Sequence, residues 1–380
     1  MYGNKSRTEP LSEGRVWANI DLDALAENVH SIRARLPLGC EFMAVVKADA
    51  YGHGAAEVSA RLRREGIGAF AVATIGEAVE LRQSGIDGEI LILGYTHPVH
   101  AELLADYDLI QLAVDAAYAK ELNEEGKRIR IHLAVDTGMH RLGICADNLE
   151  ELERIYGYEN LAVEGIASHL ASSDSLNEGD VSFTNGQIGK FFDTVGKLKN
   201  KGYNTGKVHI QASYGTFNNS GLPCDYARVG IAMYGVRSSN SAVLKGCDLN
   251  AVMSLQARVA QIRRIEAGES VSYGRIFTAS KPLMLATITA GYADGIPRQA
   301  SANGAMCIVC GRKVPIIGRI CMDLFMVDAT DTDLKQGDIV TIIGREGDAE
   351  IHAEELAEAS GTITNDILCR LGSRVMRIYI

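Results

Sequence analysis

Between residues 40 and 235 the chain alternates short, unbroken apolar runs with amphipathic stretches. The runs are "EFMAVVKA" (41–48), "AFAVAT" (69–74), "EILILG" (89–94), "LIQLAV" (109–114), "RIHLAVDTG" (130–138), "VEGIASHL" (163–170), "KVHIQAS" (207–213) and "ARVGIAMYG" (227–235). Their hydrophobicity is continuous rather than alternating, as in strands buried on both faces, so the pattern predicts a parallel sheet covered by helices. The intervening stretches, such as "GEAVELRQSG" (76–85), "DNLEELERIYG" (147–157) and "IGKFFDTVGKLKNKG" (188–202), have helical character and close on glycine, a common helix terminator. Eight such strands in roughly two hundred residues count out an α/β fold, a (β/α)8 TIM barrel. A doubly wound open sheet is the alternative, but it more often stops at about five or six strands.

The pattern then changes. "SSNSAVLKGCDLN" (238–250) reads as a linker, "MSLQARVAQIRRI" (253–265) alternates at period two, and short strands with glycine turns follow. The expected organisation is a barrel over 16–240 and a mainly β C-terminal domain over 241–380. A first strand near 16–21 has the option of pairing with the C-terminal domain. The first fifteen residues, 1–15, are polar and unpatterned, a disordered leader or a linker cut from something longer.

Composition narrows the function. The chain has 380 residues and a formal net charge of −10, which argues against nucleic acid as a general partner. No run approaches the roughly 18 apolar residues of a membrane span, so no membrane segment is expected in this chain. Nor does a secretory signal open it. Eight scattered cysteines fit a reduced, cytoplasmic setting better than a disulfide framework. "CIVC" (307–310) has metal-ligand spacing, but strand alternation would put its thiols on opposite faces and no second pair accompanies it, so no metal is expected.

Barrel enzymes place their chemistry at the C-terminal ends of the strands. Those positions hold Lys47, then Asp136 and Arg141, then His169, with His209 and Ser213 along the seventh run and Arg228 and Gly230 on the eighth. Each has an ordinary reading by itself: a lysine reaching water, a histidine satisfied in the core. Together they form a rim rich in cations and poor in carboxylates, suited to an anion rather than to glycoside hydrolysis or a hard metal. A lysine at a dry strand end beside other cations has a lowered pKa and becomes a nucleophile toward aldehydes. Pyridoxal 5'-phosphate would supply both the aldehyde and an anionic phosphate.

The motifs "AVVKADAYGHG" (44–54), "VDTGMHRLG" (135–143), "ARVGIAMYG", "VSYGRIF" (271–277), "GYADGIPR" (291–298) and "GRICMDLFMVD" (318–328) together resemble the alanine racemase family, from about Val16 to the C-terminus. The resemblance implies a pyridoxal-phosphate racemase that moves the α-proton of a small amino acid between two bases, supplying D-amino acid for cell-wall precursors. It makes Lys47 the lysine that holds the cofactor and serves one face of the substrate. Tyr273 serves the other face, from the β domain of a partner subunit. Tyr51, Ser213, Gly230 and Ile231 resemble phosphate contacts, and Arg228 the arginine facing the pyridine nitrogen, with His209 behind it. His169 matches the family histidine that assists the tyrosine base. Arg141 and the backbone near Met322, the latter from the other subunit, resemble the substrate carboxylate site, and Tyr292 an entrance residue. A homodimer with composite sites follows.

Two rivals keep their place at this point: a decarboxylase of the same architecture, which would use an acidic group where Arg228 stands, and a cofactor carrier without turnover. Two positions depart from the family pattern. Ala134 stands where many members carry a carbamylated lysine, and Ser373 where many have a tyrosine near the phosphate. Similar divergent domains occur in membrane-anchored serine racemases linked to glycopeptide resistance, so the substrate reads as alanine, serine or both, and the setting as cytoplasm or the cytoplasmic part of an anchored protein.

Overall fold

The protein is described by a computed structural model over residues 14–246 and 248–380. Residues 1–13 of the expected leader, and Cys247 of the expected linker, lie outside the described residues. The chain divides into two compact units. One holds Leu25–Gly235 with Ser241–Leu249; the other holds the described residues up to Ala24, then Val236–Asn240 and Asn250–Ile380. The path therefore passes between the units at several points instead of through one linker.

In chain order the first strands are β1 (Val16–Ile20), β2 (Glu41–Val45), β3 (Ala69–Val72), β4 (Glu89–Ile92), β5 (Ile110–Ala113), β6 (Ile129–Asp136), β7 (Ile144–Cys145), β8 (Leu161–Ala167), β9 (Lys207–His209) and β10 (Tyr226–Val229). Within the first unit the sheet runs β10-β2-β3-β4-β5-β6-β8-β9, with β7 paired only to β6. Its neighbours are parallel throughout. Between β9 and β10 the ring is completed by a parallel bridge from Ala212 to Arg228 and by bonds from Asp225 N–H to the Val208 carbonyl (2.7 Å) and from Arg228 N–H to Gln211 (3.2 Å). The sheet is thus a nearly closed eight-stranded barrel, the expected fold. Every residue of β3 and of β5 is buried, so neither strand shows period-two alternation. Even Gln111 inside β5 is buried, its amide donating to the Gly94 and Leu112 carbonyls.

The second unit adds β11 (Met253–Ile265), β12 (Ser270–Val271), β13 (Phe277–Thr278), β14 (Leu283–Ile288), β15 (Met306–Val309), β16 (Arg312–Ile317), β17 (Phe325–Asp328), β18 (Ile339–Glu346), β19 (Ala349–Ile351) and β20 (Met376–Tyr379). The long strand β11 is its spine, antiparallel to β1, β14 and β18. Over its first half β11 buries alternate residues, as its sequence pattern requires. Strand β1 belongs to this sheet by its pairing, antiparallel to β11 and parallel to β20. Helices Ala353–Ala359 and Thr364–Cys369 interrupt the strands near the C-terminus.

Candidate active site

Lys47 leaves the end of β2, half-buried, and opens a helical turn, Lys47–Gly52, of unusual hand. Ala48, Asp49, Ala50 and Tyr51 all have φ of 53° with ψ between 42° and 53°, left-handed values that non-glycine residues avoid. At roughly 1–2 kcal/mol per residue, four in succession store on the order of 4–8 kcal/mol. The rest of the motif holds that strain in place. Glu77 accepts the Ala48 N–H at 2.7 Å with one oxygen and the N–H groups of Ala73 and Thr74 with the other. Asp49 Oδ1 accepts from Ala55 at the start of the next helix, 2.8 Å away. His53 Nδ1 lies 3.0 Å from the carbonyls of both Ala50 and Tyr51, so it carries the proton, and its ring stacks on Tyr234 at 4.3 Å. Gly52 and Gly54 complete the exit at φ of 78° and 95°. The motif that reads in sequence as a polar strand end is a strained turn that aims one lysine.

Arg228 on β10 is 5% exposed. Its NH1 lies 2.5 Å from His209 Nδ1, and its NH2 donates to the Ser168 carbonyl at 2.6 Å with His169 Nδ1 at 3.3 Å. An arginine can only donate, so His209 Nδ1 accepts and Nε2 carries the ring proton. That proton is given to His132 Nδ1, 2.8 Å away. His132 fits because position 165 is glycine: a Cβ there would come within 2.6 Å of the imidazole. Burial, with help from neighbouring cations, holds His132 down at about 3, and His209 well below its ordinary value. Burial, then the charges of Arg228, Arg141 and Lys47, brings His169 to about 3. Lys47, Arg228, Arg141 and His169 therefore share one electrostatic neighbourhood, where the imidazole stays neutral. Burial lowers Arg228 itself to about 10, still a cation at neutral pH. The sequence reasoning missed His132, Gly165 and Glu77. The available signal was a lone polar residue in the middle of the apolar run "RIHLAV".

Ser213 starts the short helix Ser213–Asn218 that follows β9, and its hydroxyl accepts from the N–H groups of Gly230 (3.1 Å) and Ala232 (3.3 Å). Tyr51 comes in against Gly230, where an added Cβ would meet its Oη at 2.7 Å. Tyr51, Ser213, Gly230 and the adjoining Ile231 are thus gathered at one place.

Arg141 is exposed on the loop 137–143 after β6, whose far end is tied by the Gly143 N–H to the Val114 carbonyl at 2.8 Å. Asp136 accepts from the N–H groups of Gly138 and His140 (both 3.0 Å) and lies 2.7 Å from His140 Nδ1. Burial acts to raise the Asp136 pKa, but these donors outweigh it and hold the carboxyl below its usual range. Ala134 is buried in β6, paired with Ala167 of β8.

The candidates in the second unit cluster among themselves. Tyr273 lies on a turn where Ser272, Gly274 and Arg275 all have positive φ. Ser272 Oγ donates to the Arg319 carbonyl at 2.6 Å, tying that turn to the segment carrying Met322. The Met322 carbonyl accepts from Ala293 at 2.9 Å, beside Tyr292, and a Cβ on Gly291 would come within 2.4 Å of it. Tyr292 lines a cavity of about 660 Å³ with Arg298, Gln299, Thr362 and Arg370. Ser373 lies on an exposed turn before β20.

Residues 20–238 match the family model described as alanine racemase, N-terminal domain, and residues 252–379 match that of the C-terminal domain. The chain belongs to the alanine racemase family. It is 39% identical to alanine racemase 1 of Clostridium acetobutylicum over 372 residues, covering 96% of this chain and 95% of that protein. It is 42% identical to an amino-acid racemase of Enterococcus faecalis over 363 residues, covering 95% of this chain but 51% of the relative, so the chain spans about half that protein's length. The crystal structure of alanine racemase from Bacillus anthracis with bound L-Ala-P superposes with a TM-score of 0.90 at 33% identity, covering 96% of this chain and 95% of that one. The family is pyridoxal-phosphate dependent, and the residues fit that group. Gly230 leaves open the space that Tyr51 needs beside the Ser213 hydroxyl, Arg228 supplies a fixed donor and Lys47 an amine.

Proposed function

We propose that the protein interconverts the L- and D-forms of a small amino acid, alanine, serine or both. The observation that carries this reading is the convergence of Lys47, Arg141 and Arg228 on a neutral His169, beside the cradle of Tyr51, Ser213 and Gly230. When bound, pyridoxal phosphate supplies an electron sink that makes the α-C–H of an attached amino acid acidic. Tyr51, Ser213 and the backbone at Gly230 and Ile231 would hold its phosphate, and Arg228 would meet its pyridine nitrogen. Because Arg228 stays charged and can only donate, it would favour an unprotonated nitrogen there and quick return of the proton over side reactions.

Arg141 receives the substrate carboxylate. The amine of Lys47 takes or returns the α-proton on one face. The phenol of Tyr273, contributed by a second copy of the chain together with the backbone at Met322, does so on the other. Each copy would lend its second unit to its partner, giving a homodimer with two composite sites. Family membership favours this over decarboxylation, and Arg228 stands where a decarboxylase would need an acid. No helix among the described residues is long and apolar enough to cross a membrane.

Incubation with L-alanine and with L-serine, followed by chiral analysis and a test for released amine, decides the reading. The expected result is the D-enantiomer without amine, with kcat/KM for serine within about tenfold of that for alanine, since pockets reject one added hydroxyl weakly. Released amine, or bound cofactor without turnover, overturns the racemase reading. An alanine preference of about a thousandfold or more removes serine from the substrate class.

A further inference from the structure

The long helix Glu178–Asn200 buries Thr184, Gln187, Phe191, Thr194, Val195 and Leu198, a single stripe along its length. Gln187 is an amide at the core of that stripe, 1% exposed. Its polar atoms are nevertheless engaged. Oε1 accepts from the Ala171 N–H at 2.9 Å, while Nε2 donates to the His169 carbonyl at 3.1 Å and to Thr137 Oγ1 at 3.3 Å. One end of this reach is the exit of β8, which carries His169. The other is the exit of β6, which leads within four residues to Arg141.

Backbone pairing between β6 and β8 stops at Ala134 and Ala167. Beyond that rung their mutual ladder no longer fixes how the two exits lie against each other. The side chains continue it. Thr137 Oγ1 and Ser168 Oγ are 2.9 Å apart, and Gln187 spans the next gap. One turn earlier on the helix, Phe183 lies over Gly138, where a Cβ would come within 3.1 Å of its ring and within 3.6 Å of Gln187 Cγ. Gly138 also has φ of 136°, so the loop start is shaped to accept the helix.

We propose that Gln187 is a positioning residue, a clamp that sets His169 and the loop bearing Arg141 in fixed relation. The inference rests on the racemase reading for what those two residues do. A buried carboxamide with its acceptor and both donors in use cannot rotate without breaking three hydrogen bonds at once. It also acts where Ala134 provides no side-chain tether of its own.

Amide hydrogen exchange on the cofactor-free protein tests the clamp without reference to activity. In Gln187→Met, exchange should accelerate about tenfold or more at residues 138–141 and 169–171, while the helix and strands stay protected. Gln187→Glu keeps the acceptor for Ala171 but loses the donors to Thr137 and His169, so exchange should accelerate at residues 138–141 and 169–170 and spare Ala171; this variant also serves if Gln187→Met does not fold. In the holoenzyme, KM for L-alanine should rise about tenfold, more than kcat falls, because Arg141 binds substrate. Unchanged exchange in both segments, loosening spread through the whole unit, or an unchanged KM each overturns the positioning role. A wild-type chain that fails to racemise would sink the functional reading, leaving exchange alone to decide the clamp.

Discussion

Arg228 in the barrel is almost wholly buried and donates to His209 and to three backbone carbonyls. Tyr273 in the β-rich unit is 66% exposed, on a turn of three positive-φ residues. Met322 and Tyr292, its companions, are 52% and 41% exposed. In the barrel, Arg228, His209 and His132 are therefore each partnered in a dry setting that fixes their protonation. The β-rich unit holds its candidates together through backbone contacts and leaves their side chains outward. That difference is what the composite site proposed above would require, one part buried and preorganised, the other presented on a surface.

The largest effect tests the buried half. Lys47→Ala should lower kcat by at least about 10³-fold, since on the proposed reading it removes both a proton carrier and the covalent anchor. Borohydride reduction of the wild-type holoenzyme, followed by peptide mapping, should place a pyridoxyl adduct on Lys47; an adduct on another lysine would undo the assignment.

A second experiment tests whether the exposed half serves a partner. Lys47→Ala and Tyr273→Phe proteins, each inactive, are mixed under conditions of subunit exchange. Half the dimers formed at random are mixed, and one of their two sites holds both native residues, so activity should return to about a quarter of wild type. If mixed dimers are demonstrated and activity does not return, the sites are not composite.

The smallest effect concerns the histidine column, which has no counterpart among the exposed candidates. His132 and His209 are fully buried and held neutral, with folded pKa values depressed below the ordinary 6.5. Below pH 6.5 the unfolded chain takes up protons that the folded chain refuses. Stability is therefore full above that pH and is lost as pH falls toward about 3, where His132 finally titrates. Each such group adds about 1.4 kcal/mol per pH unit to the loss. Denaturant midpoints of the cofactor-free protein between pH 7.5 and 5 should fall less steeply in His132→Phe than in wild type. Equal slopes would mean that His132 already shares the proton uptake.

Much of the barrel was legible because each run from "EFMAVVKA" to "ARVGIAMYG" is apolar throughout, and only strands buried on both faces need that. Strand ends carry polar residues for a reason in this fold, so Lys47, Arg141, His169 and Arg228 could be picked out by position. Tyr273 could not, since an aromatic on a β turn is ordinary, and only the motif around it raised its standing. His132 and Gln187 were hidden for the same physical reason: a buried polar residue is tolerated only when its partners are in place, and those partners lie far along the chain. His132 depends on His209 and on the missing side chain of Gly165; Gln187 depends on Thr137, His169 and Ala171.

The sequence by itself determined that apolar strands form a barrel followed by a β-rich unit, and which family the chain belongs to. These follow from local periodicity and short motifs, where each residue speaks through its near neighbours. Only the tertiary structure decided the hand of the turn after Lys47, the neutral state of three histidines and the closure of β6 against β8 by a glutamine. Each of those is a property of burial and of contacts between distant segments, and neither is written in any single stretch of chain.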